Sequence, residues 1–304
     1  MINGMINVYK EAGFTSHDVV AKLRGILKQK KIGHTGTLDP DAVGVLPVCL
    51  GNGTRLCDMF ADKSKEYVAV MHLGIVTDTQ DMSGSVLRQT EVFCGEEELR
   101  QTILSFVGSY AQIPPMYSAL KVNGKKLYEL ARQGKEIERA PRLVTIQEIE
   151  ILSVAMPLVK IRVACSKGTY IRTLCHDIGE KLGCGAAMET LVRTKVGQFT
   201  LEESVTLSEI ETMAHEGCIM QKIIPVDYVC SALPKAVVKK DFRKRIDNGN
   251  FLFPEHIEIK EGNFGKIDRE QCRIYNDEDV FCGIYEYREK EKQLKPVKMF
   301  PSNE

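Results

Sequence analysis

Gly33-His34-Thr35-Gly36-Thr37-Leu38-Asp39-Pro40 is the stretch on which the fold and the chemistry of this sequence turn. Its two glycines let backbone come close to a ligand. An Asp-Pro pair punctuates the chain as a turn. No Gly-Lys-Ser/Thr follows at phosphate-loop spacing, so it is not a nucleotide-binding loop of that kind. Upstream, Ser16 serves as an N-cap for a helix whose apolar face is Val19, Val20, Leu23, Ile26 and Leu27, ending near Lys30. Downstream, Val43–Leu50 is an apolar run with strand character, and Pro47 inside it predicts an edge or a bulge. Helix, glycine-bearing loop and strand thus place Asp39 between two packed elements. Alone, the Asp-Pro pair reads equally as a plain turn, and both readings stay open at this point.

Working outward, residues 66–73 form a strand pattern and residues 97–107 a helix. Asn123-Gly124 marks a tight hairpin turn, followed by a short helix over 126–132 that Gly134 stops. Residues 143–152 and 158–165 read as two strands joined at Pro157, and 169–182 as a helix ending at Gly183. Thr206-Leu207-Ser208-Glu209 is a capping box. After a boundary near 231–234, short apolar pieces lie between Gly249, Gly262, Gly265 and Gly283, as in a small β-rich module. The 304 residues are long for one core. Strands and helices do not alternate strictly, so the expected class is α+β rather than doubly wound. The expected units are residues 1–231 and 232–304.

Apolar residues make up 43% and charged residues 27%, the balance of an ordinary globular chain. A run of about 18 apolar residues, which a membrane helix needs, is absent, and the first residues do not read as a secretory signal. Ten cysteines, none in the close pairs of zinc sites, sit mostly in apolar stretches. They read as reduced thiols of a cytoplasmic protein. Formal net charge is zero, which by itself disfavours a nucleic-acid partner. The cations are nonetheless bunched over 21–31, 121–142 and 235–245, a polarity suited to a phosphate backbone. A solvated face is the plainer reading of any single run.

Other segments carry chemistry-bearing side chains. In Cys165-Ser166-Lys167-Gly168-Thr169-Tyr170-Ile171-Arg172, a strand gives way to a glycine turn and then to a helix with Tyr170 and Arg172 in its first turn. A cation there opposes the helix dipole, which suits an anionic partner; a plain surface Arg is the equal alternative, and both readings stay open at this point. Lys65-Glu66-Tyr67 places an aromatic on a strand, and Pro114-Pro115-Met116-Tyr117-Ser118-Ala119-Leu120-Lys121 is a rigid lead into the basic hairpin. As isolated features, Tyr67 reads as a core aromatic and the prolines as a connector.

Taken together and in this order, the segments resemble the TruB family of tRNA pseudouridine synthases. The resemblance rests on residues 33–40 with Gly44, Leu46 and Pro47, on Tyr67 in a Lys-x-Tyr motif, on residues 114–132, on Gly168-Thr169-Tyr170-Ile171-Arg172, and on 191–197. Val192 stands where the family often has Arg, which implies a weaker backbone contact there. The residues after 231 match loosely and resemble a small PUA-like RNA-binding module.

The resemblance implies a pseudouridine synthase-like α+β fold: a mixed, mostly antiparallel sheet flanked by helices, with a C-terminal β-rich domain. It implies isomerisation of uridine to pseudouridine at position 55 of tRNA, in the TΨC stem-loop, without cofactor or metal, by a monomer free of membranes. Asp39 would be the catalytic carboxylate, as nucleophile or as base, with Arg172 orienting it. Tyr67 would stack on the flipped base and is a possible proton acceptor, Tyr170 and Leu191 would wall the pocket, and His34 would hold the flipped RNA. Lys28, Lys30, Lys31, Lys121, Lys125 and Lys126 would meet phosphates, setting affinity more than base choice. Two rivals stand beside this reading: a non-catalytic RNA-binding or tRNA-folding protein, and a glycosidic-bond hydrolase, which needs a second carboxylate that only Asp41 offers nearby in sequence.

Overall fold

The computed structural model describes residues 1–122 and 124–300. Asn123, half of the expected hairpin turn, lies outside the described residues. Nine strands form the main sheet. Seven run along it in the order Gly4–Lys10, Val43–Leu50, Ala186–Val196, Lys65–Leu73, Leu158–Cys165, Arg142–Ala155 and Gly108–Gln112. Ile32–His34 adds to Val43–Leu50, and Phe199–Thr200 to Ala186–Val196. The Lys65–Leu73 strand buries every second residue, as its alternating sequence requires. All pairings are antiparallel except one short parallel junction, Val192 with Val43 and Arg193 with Gly44. The fold is α+β with a mixed, mostly antiparallel sheet.

Two groups of helices cover it. Ser16–Ile26 and Leu207–His215 pack Val19, Leu23 and Ile210 against Ile6, Val8, Leu46 and Val48. Glu96–Leu104 and Ile171–Lys181 pack Leu99, Ile103, Leu174 and Ile178 against Ala69, Met71, Ile161 and Val163. A second, five-stranded sheet runs Ile257–Glu261, Lys235–Val238, Gln271–Tyr275, Phe281–Arg288 and Gln293–Met299, around its own core of Ala236, Leu252, Cys272, Ile274 and Tyr285. Its Ile284, with Phe300 just after the last strand, joins Met5, Val45 and Phe199 of the main sheet and Phe60 of the short helix Cys57–Ala61 in a shared apolar cluster. No helix among the described residues is long and apolar enough to cross a membrane.

Four details differ from the sequence reading, each for a physical reason. The first helix is capped by Thr15, whose capping box closes with Asp18. Ser16 faces inward instead, and its hydroxyl accepts the Leu38 N–H at 2.9 Å. Pro47 lies in an interior strand, where it pairs across to Asn7. It fits because neither neighbour on the other side pairs with the strand there; the Pro47 carbonyl accepts both the N–H and the hydroxyl of Thr35 in that gap. Tyr170 is the N-cap residue of the Ile171–Lys181 helix rather than part of its first turn. The basic run over 235–245 is partly neutralised: Lys235 sits 2.7 Å from Asp279, and Arg243 pairs with Asp277 and Glu278.

Gly44 makes the parallel junction possible. Its φ is +108°, and a Cβ there would stand 2.3 Å from the Arg193 carbonyl oxygen. Gly44→Ala is therefore expected to lower the free energy of unfolding by about 3 kcal/mol or more. A urea titration of the purified variant checks this; a midpoint equal to that of the parent chain would refute it.

Candidate active site

The loop that carries Asp39 is tied down from three distant parts of the chain, twice through its backbone carbonyls and once through the Asp39 side chain. From the first strand, Lys10 reaches under it: its Nζ donates to the carbonyls of Pro40 (2.9 Å), Ala42 (2.6 Å) and Glu11 (3.1 Å). From the strand Ala186–Val196, Arg193 donates through Nε to Val45 (2.7 Å), Nη1 to Thr37 (3.3 Å) and Nη2 to Gly36 (3.3 Å). Lys10 is fully buried and Arg193 is 1% exposed. A buried cation is tolerated only when its donors are satisfied, so these two groups and the loop's carbonyls require each other. Desolvation lowers the Lys10 ammonium to about 8, against the pull of Asp39 and Asp41.

The third tie is Arg172, which is 5% exposed. Its Nε and Nη2 bind the two oxygens of Asp39, at 3.0 and 3.2 Å. The other Nη2 hydrogen goes to the Tyr117 carbonyl (3.0 Å), and Nη1 serves the Thr79 carbonyl (3.1 Å) and Asp81 (3.3 Å). Three of these contacts are hydrogen bonds, to Asp39, Tyr117 and Thr79, and the approaches of Nε to Asp39 and Nη1 to Asp81 are ion pairs. A bidentate pair of this kind fixes both distance and plane. Asp39 still has 40% of its side chain exposed, so the carboxylate is gripped on one side and open on the other. Its pKa is nevertheless raised above the ordinary carboxylate value. Burial of the charge is the main cause and Asp81 adds to it, while Arg172 and Lys10 oppose.

The remaining candidates surround this centre unevenly. Tyr67 lies opposite Arg193 across the paired strands, and the guanidinium acts electrostatically on its phenol. Burial raises its phenol, with Arg193 opposing, so it rests neutral. Leu191, two residues before Arg193, shares an apolar cluster with Tyr67, Leu38 and Ala42. Tyr170 is half-buried, and Gln112 holds its backbone on both sides. His34 folds back on its own loop: Nδ1 accepts the Gly36 N–H at 3.3 Å, and burial, then Arg193, lower its pKa. The six lysines do not touch the Asp39 set. Lys28, Lys30 and Lys31 are exposed between the first helix and the Ile32–His34 strand that leads into the loop. Lys121 and Lys125 are exposed on a two-stranded hairpin; Lys126, half-buried there, lies over the Tyr128 ring.

Sequence reasoning missed Lys10, Asp81 and Arg193. Arg193 had a usable signal: on a strand it shares a face with the apolar Leu191, and a charge on a buried face needs a partner. Asp81 had none, since it sits in a polar turn. There it accepts from the hydroxyls of Thr79 and Ser83 as well as pairing with Arg172.

The chain has relatives among known proteins. Residues 24–171 match the model of the TruB family pseudouridylate synthase N-terminal domain. Residues 172–231 match that of the tRNA pseudouridylate synthase B C-terminal domain. The chain is 56% identical to the tRNA pseudouridine synthase B of Lachnoclostridium phytofermentans, over 98% of its own length and all of the relative's. It is 43% identical to that of Clostridium kluyveri over the same shares. Among solved structures, an archaeal box H/ACA sRNP Nop10-Cbf5 complex superposes with a TM-score of 0.74 at 29% identity, covering 99% of this chain and 87% of the other. An H/ACA RNP bound to a substrate RNA containing 2'-deoxyuridine gives 0.74 at 27%, covering 99% and 86%.

The Lys10 contacts make a prediction whose sign is unusual. The folded-state value, about 8, lies below the unfolded 10.5. Between those pH values the unfolded chain binds more protons, so this residue's contribution to stability rises with pH. The stability of the parent relative to Lys10→Met is expected to increase from pH 8 to pH 10. Guanidinium titrations at both pH values test it, and a constant or shrinking difference would contradict the assignment.

Proposed function

Because the chain belongs to the TruB family of pseudouridylate synthases, whose members isomerise uridine to pseudouridine in tRNA, we propose that it acts on position 55 of the TΨC stem-loop with Asp39 as the catalytic group. The observation that carries this reading is the Asp39 carboxylate held in two-point contact by Arg172, open on one side, beside an apolar wall formed by Tyr67 and Leu191.

The reaction breaks the N1–C1′ glycosidic bond, turns the base, and joins C5 to C1′. The C5 proton departs and N1 gains one, so atoms balance without cofactor or metal. Only an ionised carboxylate can attack C1′ or take a proton, and Arg172 supplies the charge that keeps Asp39 ionised in a desolvated place. The base must leave the stack of its loop to reach such a site. Tyr67, with a neutral phenol, suits packing against the uracil better than acting as a resting phenolate base. Tyr170 closes the pocket beside it and His34 supports the displaced RNA strand.

A hydrolytic role for the same loop is less well supported. Of the two carboxylates near Asp39, Asp81 is spent on Arg172, Thr79 and Ser83, and Asp41 is an exposed loop residue outside the set that Arg172 holds.

Residues 1–231 form the catalytic unit in this reading, and 232–304 a PUA-like module that lengthens the RNA contact. Lys28, Lys30, Lys31, Lys121, Lys125 and Lys126 meet phosphates around the loop. The protein works as a cytoplasmic monomer with reduced thiols.

Asp39→Asn is expected to form no pseudouridine while binding tRNA within about threefold of the parent, since an amide of nearly equal size replaces the carboxylate. Nucleoside analysis of digested tRNA reads the first part and a filter-binding titration the second; appreciable product would overturn the role of Asp39. The parent's rate should fall with acid through a pKa above the ordinary Asp value of about 3.9, because the active form is the ionised one. Replacing Lys125 and Lys126 together by Ala should weaken tRNA binding and flatten log K against log salt by roughly 0.7–0.9 for each phosphate that the lysines neutralise. An unchanged slope would remove both lysines from the footprint.

A further inference from the structure

The edge strand Gly108–Gln112 ends in a side-chain amide that is 1% exposed. Its Oε1 accepts the Tyr170 N–H at 2.8 Å, and its Nε2 donates to the Tyr170 carbonyl at 3.0 Å. Both peptide groups of one residue are thus held by one side chain, as a neighbouring strand would hold them. The second Nε2 hydrogen goes to the Tyr110 hydroxyl, which donates to Asp177 at 3.3 Å. These partners fix which end of the amide is oxygen and which nitrogen.

Tyr170 starts the helix Ile171–Lys181 without any side-chain cap of its own. Arg172 follows two residues later and donates to the Tyr117 carbonyl. Tyr117 lies on the proline-bearing connector that leaves Gln112. A closed circuit results: Gln112 holds Tyr170, Tyr170 sets the helix start, Arg172 spans to Tyr117, and five residues of chain return to Gln112. The Thr173 hydroxyl also ties the helix start to Gln80, but among the described residues the Gln112 amide is the side chain that holds the Tyr170 peptide groups.

We propose that Gln112 is a positioning residue for the isomerisation, which sets Arg172 on Asp39 by pinning the peptide groups of Tyr170. It touches neither Asp39 nor the base. The inference rests on the proposed role of Asp39. Its distinctive consequence is electrostatic. Asp39 is faced by Arg172 from the helix and Tyr170 from its start, Asp81 from the 75–89 hairpin, Lys10 from the first strand, its loop neighbour Asp41, and Arg193 and Tyr67 from the central strands. Of these, Arg172 opposes protonation most. A looser Arg172 leaves the carboxylate easier to protonate, so the acid limb of the rate moves to higher pH.

The test uses the full chain and a T-arm stem-loop RNA at saturation, with single-turnover rates from pH 5 to 8.5, RNA affinity and thermal melting. Gln112→Met keeps the volume and removes the amide. It should slow the reaction about ten- to a hundredfold, the scale of a small misplacement of a catalytic group, with affinity nearly unchanged and the acid limb raised. Tyr110→Phe keeps the Tyr170 contacts and should retain the parent's limb. A Gln112→Met limb that coincides with the parent's would sink the proposal, and so would an equal shift in Tyr110→Phe. Should Gln112→Met fail to fold, Gln112→Asn decides by the same limb: it stays neutral, and its shorter amide cannot span both Tyr170 peptide groups. Asp39→Asn is run in parallel. Activity there defeats the Asp39 reading itself, whereas an inactive Asp39→Asn beside an unshifted Gln112→Met defeats only the role of Gln112.

Discussion

Placing two carboxylates on one desolvated guanidinium leaves a net negative charge that water screens from one side only. Asp39 and Asp81 share Arg172 in this way. Such an arrangement persists only if surrounding structure holds it against repulsion and desolvation. The holding comes from Lys10 and Arg193, whose donors take six carbonyl oxygens between them, five in the segment from Gly36 to Val45. Those cations anchor the loop and also add positive potential beneath Asp39, the direction that favours its charged form. Anchorage and electrostatics are thus served by the same two side chains.

That convergence dictates the sheet. Lys10 ends the first strand, Arg193 sits in a strand almost two hundred residues later, and Arg172 starts the helix before that strand. They meet only because Val43–Leu50 lies between Gly4–Lys10 and Ala186–Val196. The parallel junction covers two residue pairs, and Gly44 lets the Arg193 backbone close on it. The mixed character of the sheet is therefore local, and it occurs where the loop must be gripped.

Much of this could be read from the residues. The loop, the strand after it, the helix before it and the Arg172 anomaly follow from periodicity, glycine chemistry and the helix dipole. The Thr15 cap was also readable: Thr15 has an acid at the third helical position, whereas Ser16 has Val19 there. What escaped were long-range partners with no periodic signature. Lys10 reads as the polar end of an apolar run, and Asp81 and Gln112 as ordinary polar residues. Burial of Lys10 becomes visible only when Pro40 and Ala42 are known to lie above it. The cations over 235–245 looked like a phosphate track because their partners, Asp277, Glu278 and Asp279, stand more than thirty residues away.

These remote partners change what the zero net charge means. A neutral chain can still meet a polyanion if its acids and bases are segregated on the surface. In the C-terminal sheet they are interleaved, and Lys235 and Arg243 spend their charge within the protein. Basic side chains on the exposed surface near the loop come instead from 28–31 and from the 121–126 hairpin. The first leads by strand into the Asp39 loop, and the second leaves the connector whose Tyr117 carbonyl binds Arg172. On the proposed reading, the residues that meet phosphates are covalently close to those that hold the carboxylate. RNA held by either lysine group then bears on the geometry of the Asp39–Arg172 pair, while the C-terminal module, joined through the cluster around Phe60 and Ile284, extends the surface without supplying most of its charge.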